Sequence, residues 1–108
     1  DLAALALVAS QGVMAELVQS GVNSKLYYRL IGQIVCFDTK INVDDQIVDA
    51  SIYARLQDVR GDQVQLQVTD IKVSSLNIAP PKVLVVDTVS YTRGDSVWAA
   101  NRGWYVCP

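Results

Sequence analysis

The sequence contains no histidine. That single absence removes the commonest general base and the commonest metal ligand together. Glutamate occurs once, as Glu16, against ten aspartates. There are only two cysteines, Cys36 and Cys107, and they form no C-x-x-C pair, which argues against a thiolate zinc centre or a thioredoxin-like redox motif. Lysine and arginine number nine against eleven acids, and the sequence pI is about 4.8. The chain therefore lacks the basic excess that phosphate binding uses, and no nucleic-acid partner is expected. No G-x-S-x-G, P-loop or G-x-G-x-x-G occurs, and no N-x-S/T glycosylation acceptor. These gaps argue against an enzyme, and no cofactor or resident metal is expected.

What is present points to strands. Seventeen valines and seven isoleucines fit a pleated surface, because β-branched side chains are stiff there at little cost. Aspartate, unlike glutamate, favours turns and caps, where its short carboxylate bonds nearby N–H groups. At 108 residues the chain is one domain, 1–108, and 51% hydrophobic residues with a net charge of -2 exclude a disordered chain. The fold class expected is α+β, mostly β: an N-terminal helix over 2–20 and a β region over 25–107. The helix packs on a curved antiparallel sheet or small open barrel of about five to six strands.

The helix rests on a broad stripe of Leu2, Leu5, Ala9 and Val13, widened by Ala6, Leu17 and Val18, and stopped near Gly21. Its cover is the chain's own sheet or a groove in another protein. The residues Leu2–Ala9 resemble a short signal core, yet Asp1 precedes them and no basic stretch does. Either a signal or tether has been removed, the sole membrane contact expected, or the chain simply starts with an apolar helix.

Further along, Leu26–Phe37 reads as a strand bent at Gly32, and 38–49 as an acidic loop. Asp38, Asp44, Asp45 and Asp49 there match no calcium-loop spacing. The clearest signal is a hairpin. Ile52, Ala54 and Leu56 alternate with Tyr53, Arg55 and Gln57, and Val64, Leu66 and Val68 alternate with Gln63, Gln65 and Gln67, about a turn at Arg60-Gly61. After Val68 the apolar phase slips to Ile71 and Val73, which predicts a bulge near Thr69–Asp70. The connector 74–81 ends in Pro80-Pro81. Residues 82–91 read as a central strand, apolar on both faces. The runs 96–100 and 104–107 follow, joined by a tight turn at Asn101-Arg102-Gly103.

Arg60-Gly61-Asp62 and Arg93-Gly94-Asp95 repeat a tripeptide found in integrin ligands, but glycine with flanking charges is also what a soluble turn requires. Residues 91–105 are similar, over one hairpin, to the SH3-like G-D-x-V…G-W-W pattern. The other aromatic positions of a proline-rich-peptide groove are missing, and no family is assigned. The aromatic cluster itself is the candidate binding site: Tyr91, Trp98, Trp104 and Tyr105 beside Arg93 and Arg102. For Trp98 and Trp104 the competing assignment is a core plug.

Both cysteines end apolar strand-like runs, which favours a Cys36–Cys107 disulfide over two buried thiols. Closing so long a loop removes on the order of 4 kcal/mol of unfolded-chain freedom. A bridge implies an exported protein, periplasmic or extracellular; two free thiols would instead imply the cytoplasm. The function expected is a non-enzymatic protein-binding module of a cell-envelope, secretion or adhesion assembly. Its partners would be proteins, including copies of itself. The alternatives are a secreted inhibitor presenting a hairpin loop, or a small barrel for an apolar ligand.

Overall fold

The computed structural model describes residues 25–108, so the helix expected over 2–20 lies outside the described residues. Among those described, antiparallel strands dominate. A helical turn at 25–28 leads into β1 (Ile34–Val43), β2 (Gln46–Arg60) and β3 (Gln63–Val73), followed by β4 (Val83–Val86), β5 (Val89–Thr92), β6 (Ser96–Ala100) and β7 (Tyr105–Val106). The main sheet runs β6-β3-β2-β1-β7, and β4 and β5 pair separately.

The alternation in the sequence sets which side of this sheet is inside. Ile52, Ala54 and Leu56 of β2 and Val64, Leu66 and Val68 of β3 are buried to 1% exposure or less. Each fully buried Val, Leu or Ile among them contributes about 1.5–3 kcal/mol through removal of apolar area from water. The expected bulge is present: Tyr53 faces Asp70 and Ala54 faces Val68, which leaves Thr69 as the extra residue. Its hydroxyl donates to the Tyr53 carbonyl (3.1 Å). The extra residue restores Ile71 to the buried face, where a regular strand would have turned it outward. A second irregularity skips Gln57, between the pairs Leu56–Leu66 and Asp58–Gln65, and returns Val59 to the core.

Four expectations are corrected. Residues 26–37 are not one strand: the backbone turns at 25–28, the Leu30 N–H donates to the Tyr27 carbonyl (2.9 Å), and β1 starts only at Ile34. The acidic stretch 38–49 is not a loop but the β1–β2 hairpin, closed by Asp44-Asp45 at φ of 52° and 64°. Aspartate tolerates that left-handed conformation better than most residues, so two of them suffice for a tight turn. Residues 82–91 are not a central strand either. The run breaks at Asp87-Thr88, also left-handed (48° and 69°), into the β4–β5 hairpin, and Val83 and Val85 are exposed.

The fourth concerns the C-terminal turn. β6 and β7 do not pair; β6 adds to β3 and β7 adds to β1, at opposite edges of the main sheet. Residues 91–105 therefore do not form the hairpin of the SH3-like pattern. In a flat five-stranded sheet those edges would lie ~19 Å apart. Five residue steps from Ala100 to Tyr105 span roughly 18 Å only when fully extended. Residues 101–103 are bends and Gly103 has φ of 83°, so the sheet must roll to bring its edges together. It stays open, because no ladder joins β6 to β7. Asn101 fixes the crossing: its N–H donates to the Asp62 carbonyl (2.9 Å) and its side-chain amide to the Gly61 carbonyl (3.2 Å).

Candidate functional site

The rolled sheet leaves a cleft at the crossing, and the β4–β5 hairpin walls one side of it. Val86, Val89 and Tyr91 come from the hairpin, Ala99 and Ala100 from the end of β6, and Phe37 from β1. Arg102, Gly103 and Trp104 complete a cleft of about 630 Å³, with Asp87 at the hairpin turn as its carboxylate. The Trp104 ring stands between two others, 5.1 Å from Phe37 and 5.9 Å from Tyr91, at interplanar angles of 46° and 56°. Tilted contacts at these distances suit the ring quadrupoles.

Trp104 is buried because its backbone is held from below. The Tyr27 hydroxyl donates to the Trp104 carbonyl (2.8 Å) and accepts from the Trp104 N–H (3.1 Å). Phe37 approaches through Gly103. A Cβ on that residue would stand 2.6 Å from Phe37 Cε2, so a side chain there and this ring position are incompatible. Burial raises the Tyr91 phenol, with Asp87 adding to the shift, to about 12. At neutral pH it is a neutral donor in an apolar wall.

The expected site residues divide into two groups. Tyr91, Arg102 and Trp104 come together in the cleft, Trp104 with the core-plug role and Arg102 exposed at the rim. Trp98 points to the other face of β6, opposite Gln65, with the Arg60 guanidinium 5.3 Å from its ring centre. Arg93 leaves the cluster to pair with Asp70. Tyr105 lies on the outer face, where its hydroxyl donates to Asp38 (2.7 Å), as does that of Ser51 (2.8 Å). Those two bonds, Tyr105 first, lower the Asp38 carboxyl below its usual range, and the same contact raises Tyr105.

Sequence reasoning missed Phe37, Val86, Asp87, Val89 and Gly103. The tight Gly103 contact depends on the sheet's roll, which no local pattern encodes. Both Arg-Gly-Asp copies sit at turns, with Gly61 and Gly94 at positive φ (57° and 92°), and Arg60 also meets Asp58 at 3.4 Å. Their arginines are engaged within the chain. Among the described residues no three Cys, Asp or Glu side chains are grouped to hold a metal ion, and no helix is long and apolar enough to cross a membrane.

The expected disulfide is present between Cys36 and Cys107, with Cα atoms 5.2 Å apart across 71 positions. It ties the last strand to the first. The chain matches no protein-family model, no curated protein and no solved structure.

Proposed function

We propose that the chain is a non-enzymatic protein-binding module of a cell-envelope, secretion or adhesion assembly, and that the cleft is its binding site. The supporting observation is the wall of Phe37, Tyr91 and Trp104 beneath the exposed Arg102. Tyr91 and Trp104 form the buried floor, and the half-buried Phe37, Val86 and Val89 beside the exposed Arg102 leave apolar area and a polar handle for a partner to cover, the combination that protein interfaces use as anchors. The disulfide is compatible with an oxidising, exported compartment, and the proposal places the chain there.

A photo-crosslinking residue at position 102, compared with one at exposed position 72 in the native cell, tests the proposal. One discrete adduct at 102, weakened by Val89→Glu, is expected; a single anchor contact carries about 2 kcal/mol. Equal or absent adducts at both positions would sink it.

A second reading, the secreted inhibitor, rests on the β1–β2 hairpin. Its distal part runs beyond the end of β3, which pairs with β2 only from Ala50, and Ile47 there is 72% exposed. Such an arm suits insertion into another protein's cleft. Stoichiometric inhibition of one enzyme, abolished by Ile47→Asp and not by Val89→Glu, would favour this reading over the first.

A further inference from the structure

Among the described residues, the edge of β1 past β7 and the edge of β4 differ in chemistry. On β1 the Cys107 N–H bonds the Ile34 carbonyl (3.3 Å), so the even-numbered residues of β1 turn their backbone groups toward that edge. Past β7 these are Asp38, Lys40 and Asn42, and charges at such positions blunt an edge against further pairing. β4 carries no such protection.

The β4–β5 turn fixes which groups β4 offers. A two-residue turn with both φ positive closes on a hydrogen-bonded pair, here Val86–Val89. Alternation then makes Leu84–Tyr91 hydrogen-bonded and leaves Val83–Thr92 and Val85–Ser90 without mutual bonds. The N–H and C=O groups of Val83 and Val85 therefore face away from β5, and among the described residues no backbone bond reaches them. The two residues are 49% and 60% exposed, and β4 holds no charged residue.

We propose that β4 pairs antiparallel, edge to edge, with β4 of a second copy, so that Val83 faces the second copy's Val85 and Leu84 lies on the two-fold axis. The strand is self-complementary in this register. Both members of each Val83–Val85 pair point their backbone groups outward, as a hydrogen-bonded pair requires, and their side chains share the exposed face. Pro81 falls opposite the second copy's turn at Asp87, so the residue that lacks an N–H needs no ladder bond. The same offset sets Lys82 beside the second copy's Asp87, at the end of β4 where Lys82 and Arg93 line a groove of about 480 Å³. The result is a four-stranded sheet, β5-β4-β4-β5, in place of two marginal hairpins.

The area is small, so a weak dimer is expected, with a dissociation constant between roughly 10 μM and 1 mM. Sedimentation equilibrium on the full 108-residue chain with its disulfide intact tests it. Val85→Pro removes only an outward N–H, which an edge strand tolerates, and should weaken association by roughly tenfold or more. Val83→Lys and Val85→Asp, each on an exposed position, should each do the same. The double variant places lysine opposite aspartate in both pairs and should restore a dimer that salt weakens. A wild-type chain monomeric at about 1 mM overturns the proposal, as does a dimer indifferent to Val85→Pro or a double variant no better than either single one.

Discussion

One hydroxyl joins Tyr27 to Trp104 across 77 positions, donating to the tryptophan's carbonyl and accepting from its N–H. Residues 27 and 104 thereby fasten the turn that precedes β1 to the strap that crosses between the sheet's edges. Both bonds are buried. Tyr27→Phe would leave two backbone groups of Trp104 without partners, at about 1–3 kcal/mol each. The expected loss is roughly 2–6 kcal/mol in urea denaturation, with the transition slope unchanged. A loss under about 0.5 kcal/mol would mean that water replaces the hydroxyl and that the pair is not a fastening.

Phe37 packs over Gly103 where no Cβ fits. Gly103→Ala brings a Cβ to 2.6 Å from the Phe37 ring and also strains a residue at φ of 83°. About 1–3 kcal/mol of destabilisation is expected from the two effects together. Phe37→Leu relieves the steric part and leaves the backbone part. A double-mutant cycle should therefore show the two substitutions costing less together than separately, and strict additivity would mean that the ring is free to move aside.

The parts of this molecule legible in its sequence are those where side-chain period and burial coincide. Ile52, Ala54 and Leu56 could be assigned inward from alternation alone, and the slip after Val68 gave away the extra residue at Thr69. The bulge at Gln57 left the same kind of trace, the three-residue step from Leu56 to Val59. The two turns that escaped, Asp44-Asp45 and Asp87-Thr88, contain no glycine. Left-handed aspartate resembles a solvated acid in sequence, and left-handed threonine contradicts the preference of a β-branched residue. The candidate site was half legible because residue type marks Tyr91, Arg102 and Trp104 as anchors. Which of the aromatic side chains converge depends on the edge-to-edge crossing, a relation among strands distant in sequence.

Alkaline pH should weaken the fold through its buried phenols. Burial raises Tyr27 and, more strongly, Tyr91, whose value of about 12 stands above the ordinary 10.0. A folded-state value above the unfolded one gives stability that is complete below pH 10 and is lost as pH climbs toward 12. Within that window Tyr91 alone should cost about 1.4 kcal/mol per pH unit, and Tyr91→Phe should flatten the curve by that amount. Ultraviolet titration of the folded chain should show the phenols of Tyr27, Tyr91 and Tyr105 ionising above the ordinary 10.0. Simultaneous ionisation of all five tyrosines, with the fold still intact, would contradict the buried wall.

The bridge between Cys36 and Cys107 makes the cleft depend on redox state. β7 contributes only Tyr105 and Val106 to the sheet, so its two-residue ladder has little strength of its own. The disulfide holds it to β1, and Trp104 is the residue immediately before it. Reduction should lower stability by about 4 kcal/mol, since the bridge closes a loop of 71 positions. The loss should reach Trp104 before the centre of the sheet, because Ile52 and Leu66 stay enclosed by β1, β2 and β3. In a Trp98→Phe background the fluorescence of Trp104 isolates this step. A red shift on reduction in dilute urea, at concentrations where far-ultraviolet dichroism is still native, is the expected result. Coincident transitions by both probes would show that the strap is held by Tyr27 and Phe37 alone, and thiol titration of the unreduced, unfolded chain should find no reactive sulfur.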